Sequence, residues 1–417
     1  MPTESASGFA RLASRWGEIP PSAGLPLSLK ALWPARPRAF AQAAAAFLGV
    51  DNAQIECSGT ACLVLVLATL QRLSARRKVI IPAYTCPLVL LAIRHCGLQA
   101  VLCDVRAGSF EFDEVALAAH CDADTLAVIP THLAGRVADT TRVNLIARNC
   151  GALLIEDAAQ AFGARVHGLS VGKDADFSFF SLAVGKGLST FEGGIWFARD
   201  AALRTEILKT REQLLRGRPA FELLRCLQLI GYSALYRPLP LRLVYGLPLR
   251  RALRRNDVAE AIGDVFDEAI PLHHMSHWRQ GVGSRGLQQL PAFQHALRQQ
   301  AERRVPALRA LPGLQVLDDK PGVQGSWPLI MLLMPTQAAR DAALAELWPL
   351  RLGASRLFAE AIGDYAYLAA GGGTQTPNAR DFAARTLSLS NSLWLDDAQF
   401  AQILAVLRKH LAASAQT

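Results

Sequence analysis

Between residues 50 and 200, short apolar runs of β character alternate with segments of helical length. This rhythm constrains the fold more than any other feature of the chain. The runs are "KVIIP" from Lys78, "AVLCDV" from Ala100, "LAVIP" from Leu126, "ALLIE" from Ala152, "DFSFF" from Asp176 and "GIWFA" from Gly194. Stretches such as "TTRVNLIARNCG" lie between the early runs and are long enough for a crossover helix. Continuous apolar strands joined by helical crossovers predict a mostly parallel sheet covered on both faces. Ligands of such sheets bind at the carboxyl ends of the strands, so residues there carry the functional reading.

The rhythm breaks after residue 200. Residues 201–265 are rich in Leu and Arg and are interrupted by Pro238, Pro240 and Pro248, which predicts an insertion of short helices. A second region begins near Phe266 with the helical pattern "GLQQLPAFQHALRQQAERR". The chain ends in an amphipathic helix, where Phe400, Ile403, Leu404, Leu407 and Leu411 follow Asp396 and Asp397 at helical spacing. A chain of 417 residues exceeds one small domain. The expected division is a large domain with an N-terminal arm over 1–200, the insertion over 201–265 and a smaller α/β domain over 266–417.

The net charge of +9 sits in one place, because residues 201–255 hold eleven Arg and one Lys against three Glu while the remainder balances. One local excess is not the broad basic surface of a nucleic-acid binder, so no nucleic-acid partner is expected. The favoured reading of the insertion is a solvated helical subdomain with arginine stems packed along it. A sharper one is weak peripheral contact of 201–255 with anionic lipid, and a third is a grip on a nucleotide diphosphate. The eight cysteines are scattered without a CxxC pair, which fits reduced thiols in a cytoplasm. The longest apolar run, "ACLVLVLATL", has ten residues and is too short to span a bilayer, and the first thirty residues lack a signal-peptide pattern. A soluble, cytoplasmic protein is expected. His273, His274 and His277 in "HHMSH" have no acidic or cysteine neighbour in sequence, so no metal site is expected.

Three motifs carry chemistry. In "CSGTACLVLVLATLQRL", a Ser58-Gly59-Thr60 turn enters a long apolar helix. The first-turn N–H groups either hold an anion or are simply capped. In "ALLIEDAAQAFGA", Glu156 and Asp157 end a buried strand, where an acid faces a cationic ligand atom or caps the next helix. In "FSLAVGKGLSTFEGG", Lys186 stands between glycines. It is either a surface loop residue or an enclosed amine able to form a Schiff base. Pyridoxal phosphate requires all three features: an anion site, a carboxylate facing its pyridine nitrogen and a lysine for its aldehyde.

With "VIIPAYTCPLVLLAI", "VLCDV", "PTHLAG" and "EGG", these motifs resemble the DegT/DnrJ/StrS-type aminotransferases, which act mainly on nucleotide-linked keto sugars. The resemblance runs from about residue 40 to 200 and returns more weakly from 270 onward. It implies the α/β architecture of fold-type I pyridoxal phosphate enzymes: a mostly parallel seven-stranded sheet with helices on both faces and a smaller C-terminal α/β domain. It also implies a homodimer with its sites near the subunit interface. By position it makes Lys186 the Schiff-base lysine and proton carrier, and Asp157 the partner of the pyridine nitrogen. Ser181, Thr60 and the Gly59 and Ala61 backbone, with Ser58 in the same turn, would hold the phosphate; Gln160 would lie against the cofactor. The implied substrates are an amino acid donor, glutamate, and a nucleotide-linked keto sugar, for amino-sugar or surface-glycan synthesis.

The sequence departs from the family pattern in three places. Cys86 stands where the family often has a Phe or Trp stacked on the cofactor, and the nearby Tyr84 is expected to point elsewhere. The family's "NYR" segment aligns near "LHHMS" at Leu272, and its C-terminal "LPxHP" reads "LSLSNSLWL" here. His132 in "PTHLAG" reads as a wall of the site or as a satisfied core histidine. Two rivals follow. One is a sugar dehydratase of the same fold, in whose branch a histidine replaces the lysine, so Lys186 argues against it. The other is a non-enzymatic paralogue.

Overall fold

The computed structural model describes residues 17–33, 39–368 and 375–414. The six runs read from sequence become strands β2 (Lys78–Pro82), β3 (Gln99–Cys103), β4 (Thr125–Val128), β5 (Leu153–Asp157), β6 (Phe177–Ser181) and β7 (Gly194–Ala198). A further strand, β1 (Gln54–Glu56), is too short to have stood out in the sequence. The seven form one sheet in the order β1-β7-β6-β5-β4-β2-β3. Every pairing is parallel except those of β7, which runs antiparallel to β1 and β6.

Alternation along the strands feeds two separate cores, since successive side chains leave opposite faces. Val79, Ile81 and Ala127 pack with the helix Gly59–Leu73, while Ile80, Val128 and Leu154 pack with the helices Glu114–His120 and Thr141–Asn149. With both faces covered, β5 and β6 are buried at every position after Leu153. That accounts for the apolar run Leu153–Ile155 in β5 and the three phenylalanines of β6.

Beyond residue 200 the structure refines several expectations. The helix Ala201–Leu214 packs on Gly59–Leu73, with the Thr69 and Thr210 hydroxyls 2.8 Å apart and Arg211 Nε donating to Glu56 at 2.7 Å. Instead of short helices alone, the insertion contains the 17-residue helix Pro219–Leu235, followed by Pro238–Leu241 and Leu247–Arg254. Pro219, Pro238 and Pro248 fall in first turns, where the missing N–H costs nothing. The helical pattern near residue 286 is the middle of a 33-residue helix, His277–Arg309, whose N-cap Ser276 accepts the Arg279 N–H.

The C-terminal region forms a second sheet of β8 (Gln315–Leu317), β9 (Leu329–Leu333), β10 (Ala354–Ser355) and β11 (Thr386–Ser390). Its order is β8-β9-β11-β10, all antiparallel. The final helix Asp397–Ser414 buries Phe400, Ile403, Leu407 and Leu411 as expected. Among the described residues no helix is long and apolar enough to cross a membrane.

Candidate active site

The carboxyl ends of β5 and β6 open onto a chamber of about 350 Å³. Thr60, Asp157, Gln160, Ser181, Lys186 and Asp264 all line it. Four segments far apart in sequence therefore meet at one place.

The helix Gly59–Leu73 begins there because Ser58 caps it, its Oγ accepting the Ala61 N–H at 3.0 Å. The N–H groups of Gly59 and Thr60 are left without an intrahelical acceptor, at the positive end of the helix dipole. A Cβ on Gly59 would stand 3.2 Å from the Ser181 Cβ, so glycine lets the helix end approach Ser181 closely. Ser58 and Ala61, expected at the anion, build the cap instead and do not line the chamber. Gly59, Thr60 and Ser181 do. The Ser181 Oγ accepts the Ala183 N–H at 3.2 Å, which leaves its own proton to be donated.

Lys186 is held by its backbone. Gly185 and Gly187 have φ of 82° and 81°, a left-handed conformation that glycine adopts without a Cβ penalty. The Ser22 hydroxyl donates to the Gly185 carbonyl at 2.6 Å and the Leu25 N–H to the Gly187 carbonyl at 2.7 Å. An N-terminal segment thus clamps the loop on both sides of the lysine. Burial lowers the pKa of the Lys186 ammonium from its ordinary value, against the pull of Cys86, Asp157 and Asp264. An amine that gives up its proton readily is a nucleophile and a proton carrier.

Asp157 is 3% exposed. Burial pushes its carboxyl pKa up to about 6, opposed by the Ala159 N–H, Lys186 and His132. Next to it, Glu156 points away from the chamber and accepts from His132 Nε2 at 3.0 Å. His132 Nδ1 accepts the Ala138 N–H at 3.0 Å, which assigns the proton to Nε2. His132 is therefore a satisfied core histidine behind the Asp157 strand, not a wall of the chamber.

Cys86 lines the chamber, and burial pushes its thiol pKa up to about 12, so it stays protonated. Tyr84 does point elsewhere: it is fully buried against Phe358 and Phe382 at ring distances of 5.4 and 5.0 Å. Rings that face the chamber come from Phe179, Phe266 and Phe358. Gln160 lines the chamber with its Oε1 fixed by the Ala134 N–H at 2.9 Å. His273 is buried against the Phe221 ring. Among the described residues no group of three or more His, Cys, Asp or Glu is gathered to hold a metal.

Asp264 escaped sequence reasoning. It follows Gly263, the left-handed C-cap of the helix Val258–Ile262, and no local motif ties it to Lys186. Its carboxylate accepts the Ala359 N–H at 2.8 Å and the Tyr365 hydroxyl, and burial raises its pKa. A helix N-terminus with a hydroxyl, a buried carboxylate and a readily deprotonated amine match the phosphate, pyridine nitrogen and aldehyde of pyridoxal phosphate. The residues present fit that cofactor.

Residues 35–225 match the model of the DegT/DnrJ/EryC1/StrS aminotransferase family. The chain is 34% identical over 184 residues to the L-glutamine:2-deoxy-scyllo-inosose aminotransferase of Streptomyces paromomycinus, an alignment covering 44% of this chain and 43% of that one. It is 33% identical over 178 residues to the GDP-perosamine synthase of Caulobacter vibrioides, covering 43% and 46%. The chain thus spans about half the length of the curated relatives it matches. Among solved structures, 3-amino-5-hydroxybenzoic acid synthase superposes with a TM-score of 0.68 at 23% identity, covering 90% of both chains. The Helicobacter pylori aminotransferase PseC gives 0.73 at 17%, covering 95% of this chain and 100% of that one. The family resemblance drawn from the motifs holds over the matched segment, and the architecture is that of fold-type I.

Proposed function

We propose that this protein is a pyridoxal phosphate-dependent aminotransferase that moves an amino group from an amino acid to a keto sugar. The observation that carries the reading is the meeting of Lys186, Asp157, Ser181 and the Gly59–Leu73 helix end in one chamber. Bound there, the cofactor supplies an electron sink for a substrate that loses a proton from carbon. The Gly59 and Thr60 N–H groups with the Ser181 hydroxyl would hold its phosphate, and the Asp157 carboxylate would hold a proton on its pyridine nitrogen. Gln160 would bear on the cofactor from the same chamber. Lys186 would bind the aldehyde carbon and, once released by substrate, carry a proton between substrate and cofactor. Its lowered pKa supports both roles.

Glutamate is the donor that the family resemblance suggests, although the Streptomyces relative's name specifies glutamine. A homodimer in the cytoplasm belongs to the same reading. So does weak contact of 201–255 with anionic lipid. Leu223, Leu227 and Leu243 there are 60%, 57% and 65% exposed, close in sequence to the exposed Arg216, Arg218 and Arg251. Lysine at position 186 supports amino transfer over the dehydratase alternative.

The test is spectroscopic. Glutamate added to the pyridoxal phosphate-loaded protein should convert the cofactor's absorption from its aldehyde to its amine form, and a panel of keto sugars should reveal the one that restores it. A purified protein that takes up no pyridoxal phosphate refutes the reading.

A further inference from the structure

A second cavity, of about 540 Å³, adjoins the cofactor chamber and shares Gln160, Val184, Lys186 and Leu357 with it. The two spaces therefore meet beside Lys186. The outer one lies within the usual size of ligand pockets, roughly 300–1,000 Å³. Its far wall comes from the insertion, including Tyr232, Leu235, Leu241 and Val244.

The lining is apolar to a degree that a sugar nucleotide would not match. Among the described residues, Lys186 is its only charged member. Tyr232 and Tyr236 of this wall engage their hydroxyls with the N-terminal segment. The Tyr232 hydroxyl donates to the Leu25 carbonyl at 3.2 Å. The Tyr236 hydroxyl donates to the Ser22 carbonyl at 3.0 Å and accepts the Gly24 N–H at 2.8 Å. Their rings stack with centroids 4.6 Å apart. None of the eleven arginines of 201–255 lines it. Arg211, Arg225 and Arg250 pair with Glu56, Glu192 and Glu18 instead. A diphosphate entering here would find no guanidinium.

One residue of this wall adds to the space. Gly231 lies inside the helix Pro219–Leu235, where glycine weakens a helix relative to alanine. No close packing demands it, because a Cβ built there meets nothing within 4 Å. Gly231 lines the cavity, so what its missing side chain provides is volume.

We propose that the amino acceptor of this enzyme carries a hydrocarbon chain, and that the chain lies in this cavity while the keto group reaches Lys186. The proposal rests on the aminotransferase reading above and names the chemistry of its acceptor. The tail belongs either to a membrane lipid or to a soluble amphiphile.

The test uses the pyridoxal phosphate-loaded protein and the fluorescent chain 11-(dansylamino)undecanoic acid. One probe should bind per chain, saturably, and n-alkyl carboxylates should displace it with affinity rising about fourfold per added methylene. Gly231→Phe, which puts a ring into part of the cavity, should weaken probe binding at least tenfold (on the order of a lost methylene pair) and leave cofactor absorption intact. Gly231→Ala should retain probe binding. Offering the probe in phosphatidylglycerol or phosphatidylcholine vesicles separates the sources: faster transfer from the anionic vesicles identifies a lipid tail, and equal transfer a soluble one. Absent saturable binding, binding indifferent to Gly231→Phe, or displacement by UDP without chain-length dependence overturns the proposal. Probe binding by a protein that takes up no cofactor overturns the aminotransferase reading alone.

Discussion

The guanidinium of Arg225 grips the carboxylate of Glu192, with Nη2 donating to Oε1 at 3.0 Å and Nε lying 2.7 Å from Oε2. Glu192 closes the loop that carries Lys186, and Arg225 stands on the helix Pro219–Leu235 of the insertion. One ion pair thus joins the cofactor loop to the wall of the outer cavity. Beneath it the fully buried Arg279 donates to the Thr190 carbonyl at 3.2 Å and to Glu222 Oε2 at 2.8 Å, making a second tie between the same parts.

Removing the first tie should loosen the insertion. Burial raises the Glu192 pKa while Arg225 opposes the rise, so Arg225→Ala leaves a poorly solvated acid. A loss of about 1–3 kcal/mol is expected in urea denaturation, with faster proteolysis between residues 219 and 245. Lysine at 225 should restore only part of it, since it cannot make the two-pronged contact. Unchanged denaturation and proteolysis would remove the pair from the account.

Borohydride reduction of the cofactor-loaded protein should leave a pyridoxyl group on the peptide containing Lys186, as read by mass spectrometry. Lys186→Ala should take no such label and lose amino transfer by about 10²–10⁴-fold or more. A label on any other lysine would displace Lys186 from its role.

Asp157 links function to a stability cost. Its folded pKa of about 6 lies above its ordinary value of 3.8, so the folded chain binds the extra proton between them. The cofactor-free protein is then favoured by Asp157 at low pH, and that contribution is lost as pH rises through about 6. Asp157→Asn should stabilise the cofactor-free protein at pH 8 by roughly 1–3 kcal/mol, with the gain shrinking towards pH 4. The same substitution should weaken pyridoxal phosphate binding. Equal melting temperatures for both proteins at pH 8 would contradict the buried charge.

Two serines a short distance apart should behave differently. Ser181→Ala should weaken pyridoxal phosphate about tenfold, the worth of a hydrogen bond to a charged group, with little effect on melting. Ser58→Ala should instead cost about 1 kcal/mol of stability, because it removes a helix cap. Cofactor titration beside calorimetry would expose any exchange of these roles.

Replacing Leu223 and Leu227 by Asp removes two exposed apolar groups from the insertion. Co-sedimentation with anionic vesicles at low salt should fall several-fold from the wild-type level. Wild-type protein that stays in the supernatant would discard membrane contact.

Much of this was legible because the decisive signals are local. A Ser-Gly-Thr turn before an apolar run specifies a helix end, and glycines flanking Lys186 specify left-handed backbone on either side of one amine. The acids Glu156 and Asp157 that follow "ALLI" announce a strand terminus in the same way. Asp264 had no such signal, and only the approach of Ala359 and Tyr365 makes the carboxylate part of the chamber. The three residues of β1 were too few to show a period.

The sequence by itself determined the parallel sheet, the placement of motifs at its carboxyl edge and the cofactor chemistry they suit, because backbone periodicity and capping act over a few residues. The tertiary structure alone decided that Ser22 and Leu25 clamp the lysine loop, and that Arg211 and Arg250 turn to Glu56 and Glu18 and not to the outer cavity. Those outcomes depend on groups more than a hundred residues apart choosing partners. Burial and charge pairing set that choice, and neither leaves a period in the chain.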